Sequence, residues 1–163
     1  MKKFTQAEFD AMPIDEFGYK ICPTGDYTYV NVNGVRCKFA EYCEFDRGCK
    51  FDIGCKFDIG CKFAAGCEFD RGYKFDIGCK FAESFYFCNK KFNKLFMVQN
   101  LDGSGRQIIC LFGDSDPHIN AGCFFGTVDE FCRKAQSENK MFYASVVKAA
   151  CDAYSATLNR GEK

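Results

Sequence analysis

The chain has 163 residues, a length that suits one domain, and 22 Lys+Arg balance 22 Asp+Glu, so no net field draws it to nucleic acid or to an anionic membrane. No apolar run reaches the ~20 residues that span a bilayer, and the opening MKKFTQAEFD lacks the apolar core of a secretory signal, so the expected compartment is the cytosol. The thirteen cysteines are odd in number, none stands in a C-x-x-C pair, and His118 is the single histidine, which argues against a disulfide scaffold and against zinc. Reduced, buried thiols acting as small apolar side chains are expected, with no metal and no cofactor.

Residues 1–36 read as an N-terminal cap. TQAE forms a capping box of Thr5 with Glu8, predicting a short helix over residues 4–12, and the alternation in YTYVNVNG predicts a lead-in strand from Tyr27 to Val32. Residues 37–93 then repeat every six positions: CKFAEY, CEFDRG, CKFDIG, CKFDIG, CKFAAG, CEFDRG, YKFDIG, CKFAES and the degenerate FYFCNK. Phenylalanine is third in all nine, from Phe39 to Phe87. Cys or Tyr in first place and Phe in third flank a charged residue, the period of a short strand with one buried face. Glycine closes most units and turns a corner at positive φ without steric cost. Six residues cannot hold a strand, a turn and a returning strand, so the chain must bend the same way after each unit and coil into a parallel β-solenoid. The near-repetition of CKFAEYCEFDRG as CKFAAGCEFDRG is compatible with four units per turn or with a simple duplication; three units per turn is the favoured form.

CKFDIG is similar to the unit of the hexapeptide-repeat left-handed β-helix, in which a small inward residue and a large one flank an outward position. The resemblance covers about residues 37–90 and implies a left-handed, triangular solenoid of about three coils, commonly assembled as trimers. The family prefers Ile, Leu or Val where this chain has Phe. The same repeats, followed by AGCFFGT at residues 121–127, also resemble small phage and Firmicutes proteins with C-x-F-x-x-G repeats and an AGCF-x-GT-like segment, a resemblance that brings no activity with it. The fold class is therefore mainly β: a short parallel solenoid with an α/β C-terminal cap.

Residues 94–163 supply that cap. KLFMVQNL and RQIICLFG flank LDGSGR and predict a β-hairpin around Asp102–Gly105, HINAGCFF reads as one further strand, and TVDE opens a helix to about Gln136 with a second capping box, Thr127 with Glu130. From Lys140 to Leu158 the apolar stripe Met141, Ala144, Val147, Cys151 and Tyr154 predicts a second helix.

Candidate sites follow from these elements. GCFFGT leads a strand into a helix N-terminus, where free N–H groups favour an anion, so Gly122, Gly126 and Thr127, with Arg106 and His118 nearby, are the expected residues of a site for a small anionic, nucleotide-type ligand. Asp114 and Asp116 beside His118 read as an ordinary D-S-D-P turn or as an acid–base group. At 18 residues per turn Lys38, Lys56 and Lys74 stack on one face, with Asp58 and Asp76 placed to compensate them. Ile53, Ile59 and Ile77 at the corners are the expected subunit or partner contacts. No catalytic residue is assigned. The expected function is non-enzymatic binding, as a phage accessory or anti-defence protein sequestering a nucleotide-type ligand, in a homo-oligomer with a trimer favoured. The alternative is inhibition or scaffolding through contact with a host protein, and a hexapeptide-type acyltransferase is the third reading, weakened by His118 lying outside the repeats.

Overall fold

Each hexad puts its second and third residues into a short strand, and each closing glycine turns the chain onto the next face. The computed structural model describes residues 1–51 and 54–159. Two compact units result, Met1–Asn93 and Lys94–Lys163.

In the first unit, three parallel sheets form the sides of a solenoid. One stacks β1 (Lys20–Cys22), β2 (Cys37–Phe39), β5 (Lys56–Phe57) and β8 (Lys74–Phe75). The next stacks β3 (Glu44–Phe45), β6 (Lys62–Phe63) and β9 (Lys80–Phe81). The third holds β4 (Lys50–Phe51), β7 (Cys67–Phe69) and β10 (Phe85–Phe87), closed by β11 (Lys90–Phe92), which runs antiparallel to β10. Phe39 is in register with Phe57 and Phe57 with Phe75, a step of 18 residues, so three hexads make one turn. The coils number about four rather than the three expected. The extra coil comes from the N-terminal segment: Lys20–Cys22 pairs in parallel with Cys37–Phe39, and Asp26 bridges to Glu44. Tyr27 supplies its inward ring, stacked on Phe45 at 5.9 Å.

Rings fill the interior. Phe39, Phe57 and Phe75 stack face to face at 5.3 and 5.2 Å; Phe45–Phe63–Phe81 and Phe51–Phe69–Phe87 do the same on the other sides. Within a coil the three rings meet edge to face, as in Phe57–Phe63 at 4.8 Å, the arrangement that the ring quadrupoles favour. The inward cysteines Cys37, Cys43, Cys55, Cys61 and Cys67 are fully buried, and all thirteen cysteines are free thiols. Their thiols donate to corner carbonyls of the preceding coil: Cys61 to Ala40 O at 3.4 Å and Cys67 to Asp46 O at 3.3 Å. Tyr73, which replaces cysteine in its hexad, accepts from Asp70 N at 2.9 Å and donates to Phe51 O.

The upper end is closed by α1 (Gln6–Asp10), started by the expected Thr5–Glu8 capping box. It is shorter than predicted because Met12 precedes Pro13, and a residue before proline is pushed out of the helical region. Phe4 stacks on Tyr27 at 4.8 Å and Phe9 meets it edge-on. No strand forms over Tyr27–Val32. Turns take its place: Asn31 N bonds Gln6 Oε1 at 2.8 Å, Gln6 Nε2 returns a bond to Asn31 O at 3.2 Å, and Asn33 N bonds Asn31 Oδ1 at 3.0 Å.

The second unit is a four-stranded antiparallel sheet, β12 (Lys94–Gln99), β13 (Gln107–Phe112), β14 (His118–Ala121) and β15 (Phe124–Thr127), followed by α2 (Val128–Ser137) and α3 (Met141–Asn159). HINAGCFF is thus two strands, not one. Gly122 at φ +60 reverses the chain between them. The helices pack with Ile108, Cys110, Phe112 and Ile119 through Val128, Phe131, Ala135, Tyr143, Ala144, Val147 and Cys151. Met141 is exposed; Tyr143 takes the place expected for it.

Candidate anion-binding groove

The residues expected around the α2 N-terminus divide between the two ends of the sheet. His118 lies directly across from Thr127, with Gly126 opposite Ile119. Extending the β13–β14 register puts Gln107 level with Gly122, so Arg106 and Gly122 belong to the opposite end, about 13 Å along the strands. His118 is buried and its Nδ1 lies 2.7 Å from Asp116 O; a carbonyl only accepts, so Nδ1 carries the proton. Glu130 fills the helix start, its carboxylate accepting from Thr127 N at 2.7 Å and from Thr127 Oγ1 at 3.2 Å. These bonds, Thr127 N–H first, hold the Glu130 carboxyl below its ordinary pKa. An incoming anion at Thr127 has to displace a carboxylate. Arg106 is exposed and its guanidinium sits 5.7 Å over the Tyr143 ring. Asp114 and Asp116 are exposed in the turn before β14. Among the described residues no three His, Cys, Asp or Glu side chains come together to hold a metal.

On the solenoid, Ile59 and Ile77 are exposed one rung apart, joined by Gly60 N to Ile77 O at 3.1 Å, while Ile53 lies outside the described residues. Tyr42, exposed and at φ 57, lies over Gly60 and extends this apolar corner upward. The lysine column is compensated differently from the expectation. Asp58 and Asp76 turn their carboxylates onto the next backbone N–H, of Ile59 and Ile77. Lys38 instead pairs with Asp15, and the Tyr19 ring carries Arg36, Lys38 and Lys56 at 4.3, 4.8 and 4.5 Å. On the other two faces the first two rungs carry opposite charges, with Lys62–Glu44 at 2.8 Å and Lys50–Glu68 at 3.0 Å, and Lys80 then lies beside Lys62.

A groove of about 350 Å³ opens where the first coil lacks its third strand, lined by Thr28–Asn33 on one side and Arg47–Lys50 on the other. It follows from the hydrogen-bond pattern of the coil. In each hexad the second residue donates its N–H to the preceding coil: Lys62 to Cys43 O and Glu68 to Cys49 O, both at 2.8 Å. For Lys50 the preceding coil offers only the turns at Thr28–Asn33, where Asn31 O is already bonded to Gln6. β4 is accordingly the edge of its sheet, and Lys50 N–H has no acceptor among the described residues. The groove brings this donor together with Arg47, Asn31, Asn33 and the exposed Tyr29, while the Lys50 ammonium turns to Glu68 in the next coil. Sequence reasoning missed these residues. The available signal is Arg47 at the variable fifth position of its hexad, about 18 residues after a segment, YTYVNVNG, that resembles a strand.

No protein-family model matches the chain, and neither a curated protein nor a solved structure matches it. Among the described residues no helix is long and apolar enough to cross a membrane.

Proposed function

We propose that this protein is a non-enzymatic binding protein that holds a small anionic, nucleotide-type ligand in the groove beside β4. The observation that carries the reading is the convergence of Arg47 and the unpaired Lys50 N–H on one opening that also holds Tyr29. A guanidinium and a backbone N–H are the donors that recognise phosphate or carboxylate, and an exposed aromatic ring offers a stacking surface to a base. The resemblance of the repeats to phage proteins makes nucleotide signals of antiphage defence the first ligands to test, with sequestration as the role and an oligomer, a trimer first, as the working form. Thermal unfolding with a panel of mono-, di- and cyclic nucleotides is the experiment. A rise in Tm that Arg47→Glu removes supports the reading, and no rise with any nucleotide ends it.

The second reading, contact with a host protein, is favoured by the exposed corner of Tyr42, Ile59 and Ile77. It expects a stoichiometric partner in native mass spectrometry that Ile77→Asp abolishes. Acyl transfer stays third: the buried His118, bonded to Asp116 O, offers an acyl donor no accessible base.

A further inference from the structure

The inward cysteines form columns, because hexads 18 residues apart stack in register. Cys37 N lies 3.4 Å from the Cys55 thiol, and Lys50↔Glu68 pairing sets Cys49 directly above Cys67. Neighbouring strands run about 4.8 Å apart. That spacing lies inside the ~4.4–6.8 Å between Cα atoms that a disulfide accepts.

Most stacked thiols are sealed in the core. Cys37, Cys43, Cys55 and Cys61 are fully buried, as are Cys110 and Cys151 in the second unit. Cys49 differs: it is half-buried and lines the groove between Gly48 and Lys50, with the buried Cys67 thiol beneath it. Cys79 is also half-buried, beneath Cys61, but it does not line the groove. Cys123 is exposed at the β14–β15 turn.

We infer that Cys49 and Cys67 form a thiol–disulfide exchange site at the groove floor, with Cys49 attacking, Cys67 resolving, and a small anionic disulfide such as oxidised glutathione as substrate. In the first step the Cys49 thiolate attacks one sulfur of the substrate disulfide. The S–S bond breaks, one substrate thiolate leaves and takes a proton, and a mixed disulfide remains on Cys49. In the second step Cys67 gives up its proton and attacks the Cys49 sulfur, the second substrate thiol departs with that proton, and a Cys49–Cys67 disulfide is left. Two electrons pass from the two protein thiols to the substrate disulfide, which leaves as two thiols. Arg47 draws the anionic substrate to the opening.

The two thiols are also set apart electrostatically. The Cys67 side chain beside it holds the Cys49 thiol below its ordinary pKa, whereas Cys67 is pushed up by Cys49 and by burial. An attacking thiol of lowered pKa and a protonated partner are what the sequence of steps needs. The inference uses the same groove as the nucleotide reading but does not rest on it.

The test treats the reduced full-length protein with oxidised glutathione, quenches with acid and maps the products by peptide mass spectrometry, with no nucleotide present. Wild type is expected to yield a Cys49–Cys67 linked peptide, and Cys67→Ser to accumulate glutathione on Cys49. Arg47→Glu should slow the reaction at least tenfold, and slow the uncharged hydroxyethyl disulfide less. Wild-type mapping alone is decisive if a variant fails to fold. Modification confined to Cys123, or Cys49 reacting no faster than the sealed Cys61, overturns the inference. Nucleotide binding is read in the separate thermal assay, so either idea can fail alone.

Discussion

Truncating Phe57 to alanine tests the ring column at its centre. Phe57 is 2% exposed, sandwiched between Phe39 and Phe75 at 5.3 and 5.2 Å, and met edge-on by Phe63, Phe51 and Phe45 at 4.8, 5.0 and 5.6 Å. Removing a buried phenyl ring costs ~3–5 kcal/mol, depending on how far the surroundings close over the cavity. Here they close little. The rings above and below are fixed by strands whose rung spacing cannot shorten, and the lost aromatic pairs contribute ~0.5–1.5 kcal/mol each beyond their area. The expected cost is therefore about 5 kcal/mol, against a total stability of ~5–15 kcal/mol for a domain. Phe81 is the control. It stands at the last rung, half-buried, stacked face to face on one side only, on Phe63 at 4.9 Å, with Phe75 and Phe85 at 5.0 and 5.3 Å beside it, and Phe81→Ala is expected to cost about 2 kcal/mol, since its site opens to solvent. Urea unfolding followed by far-ultraviolet circular dichroism measures both, with unchanged slopes confirming that the midpoints report stability. Equal losses for Phe57→Ala and Phe81→Ala would refute the continuous column and leave the rings as independent contacts.

Other substitutions probe single devices. Gly60 sits at φ +70 and an added Cβ would meet the Tyr42 ring at 2.6 Å, whereas Gly48, also at φ +70, has nothing within 4 Å. Gly48→Ala should cost ~1–2 kcal/mol from backbone strain alone, and Gly60→Ala more, with the excess disappearing in a Tyr42→Ala background by the same urea assay. Tyr73→Phe leaves buried Phe51 O and Asp70 N without their partner, at ~1–3 kcal/mol. Acid dependence has a defined sign at Glu8, whose carboxyl is lowered from 4.5 to about 2 by the Thr5 backbone N–H first and Lys2 next. Its contribution is complete above 4.5 and is lost as pH falls through about 2. Thermal unfolding across that window should show a slightly shallower fall for Glu8→Gln than for wild type; a steeper fall would contradict the sign.

The six-residue period made the architecture legible because each slot has one physical demand: a small side chain, an outward charge, a ring and a corner glycine. The extra coil does not show in the period because its slots are filled out of phase. Cys22 stands in register with Phe39, and Tyr27 serves as a ring without any hexad around it. The shape continues after the sequence period has stopped. YTYVNVNG alternates like a strand, yet Asn31 and Gln6 satisfy its backbone locally, and a side-chain hydrogen bond that competes with a ladder is invisible to periodicity. Arg106 and His118 are near one another in sequence alone. Strand register, which the sequence does not carry, sends Arg106 and His118 to opposite ends of their sheet.

The choice of Phe over an aliphatic residue and of Cys over Ala answers one packing problem. Three rings per coil, each edge-on to the next, leave room only for a small side chain at the other inward slot. They also leave corner carbonyls such as Ala40 O and Asp46 O facing a space that no backbone donor enters. A thiol fits that space and donates to those carbonyls, which a methyl group cannot do. Where the thiol is replaced, at Tyr73, a hydroxyl again meets the backbone. With the inside so determined, variation falls to the fifth residue of each hexad: Glu41, Arg47, Ile59, Ala65, Arg71, Ile77 and Glu83, all but Ala65 exposed. Exposed chemical variety therefore falls at those corners and at the places where the period breaks. Arg47 is where the two coincide, a variable corner facing the incomplete coil, so a ligand bound there tests the reading of the whole surface.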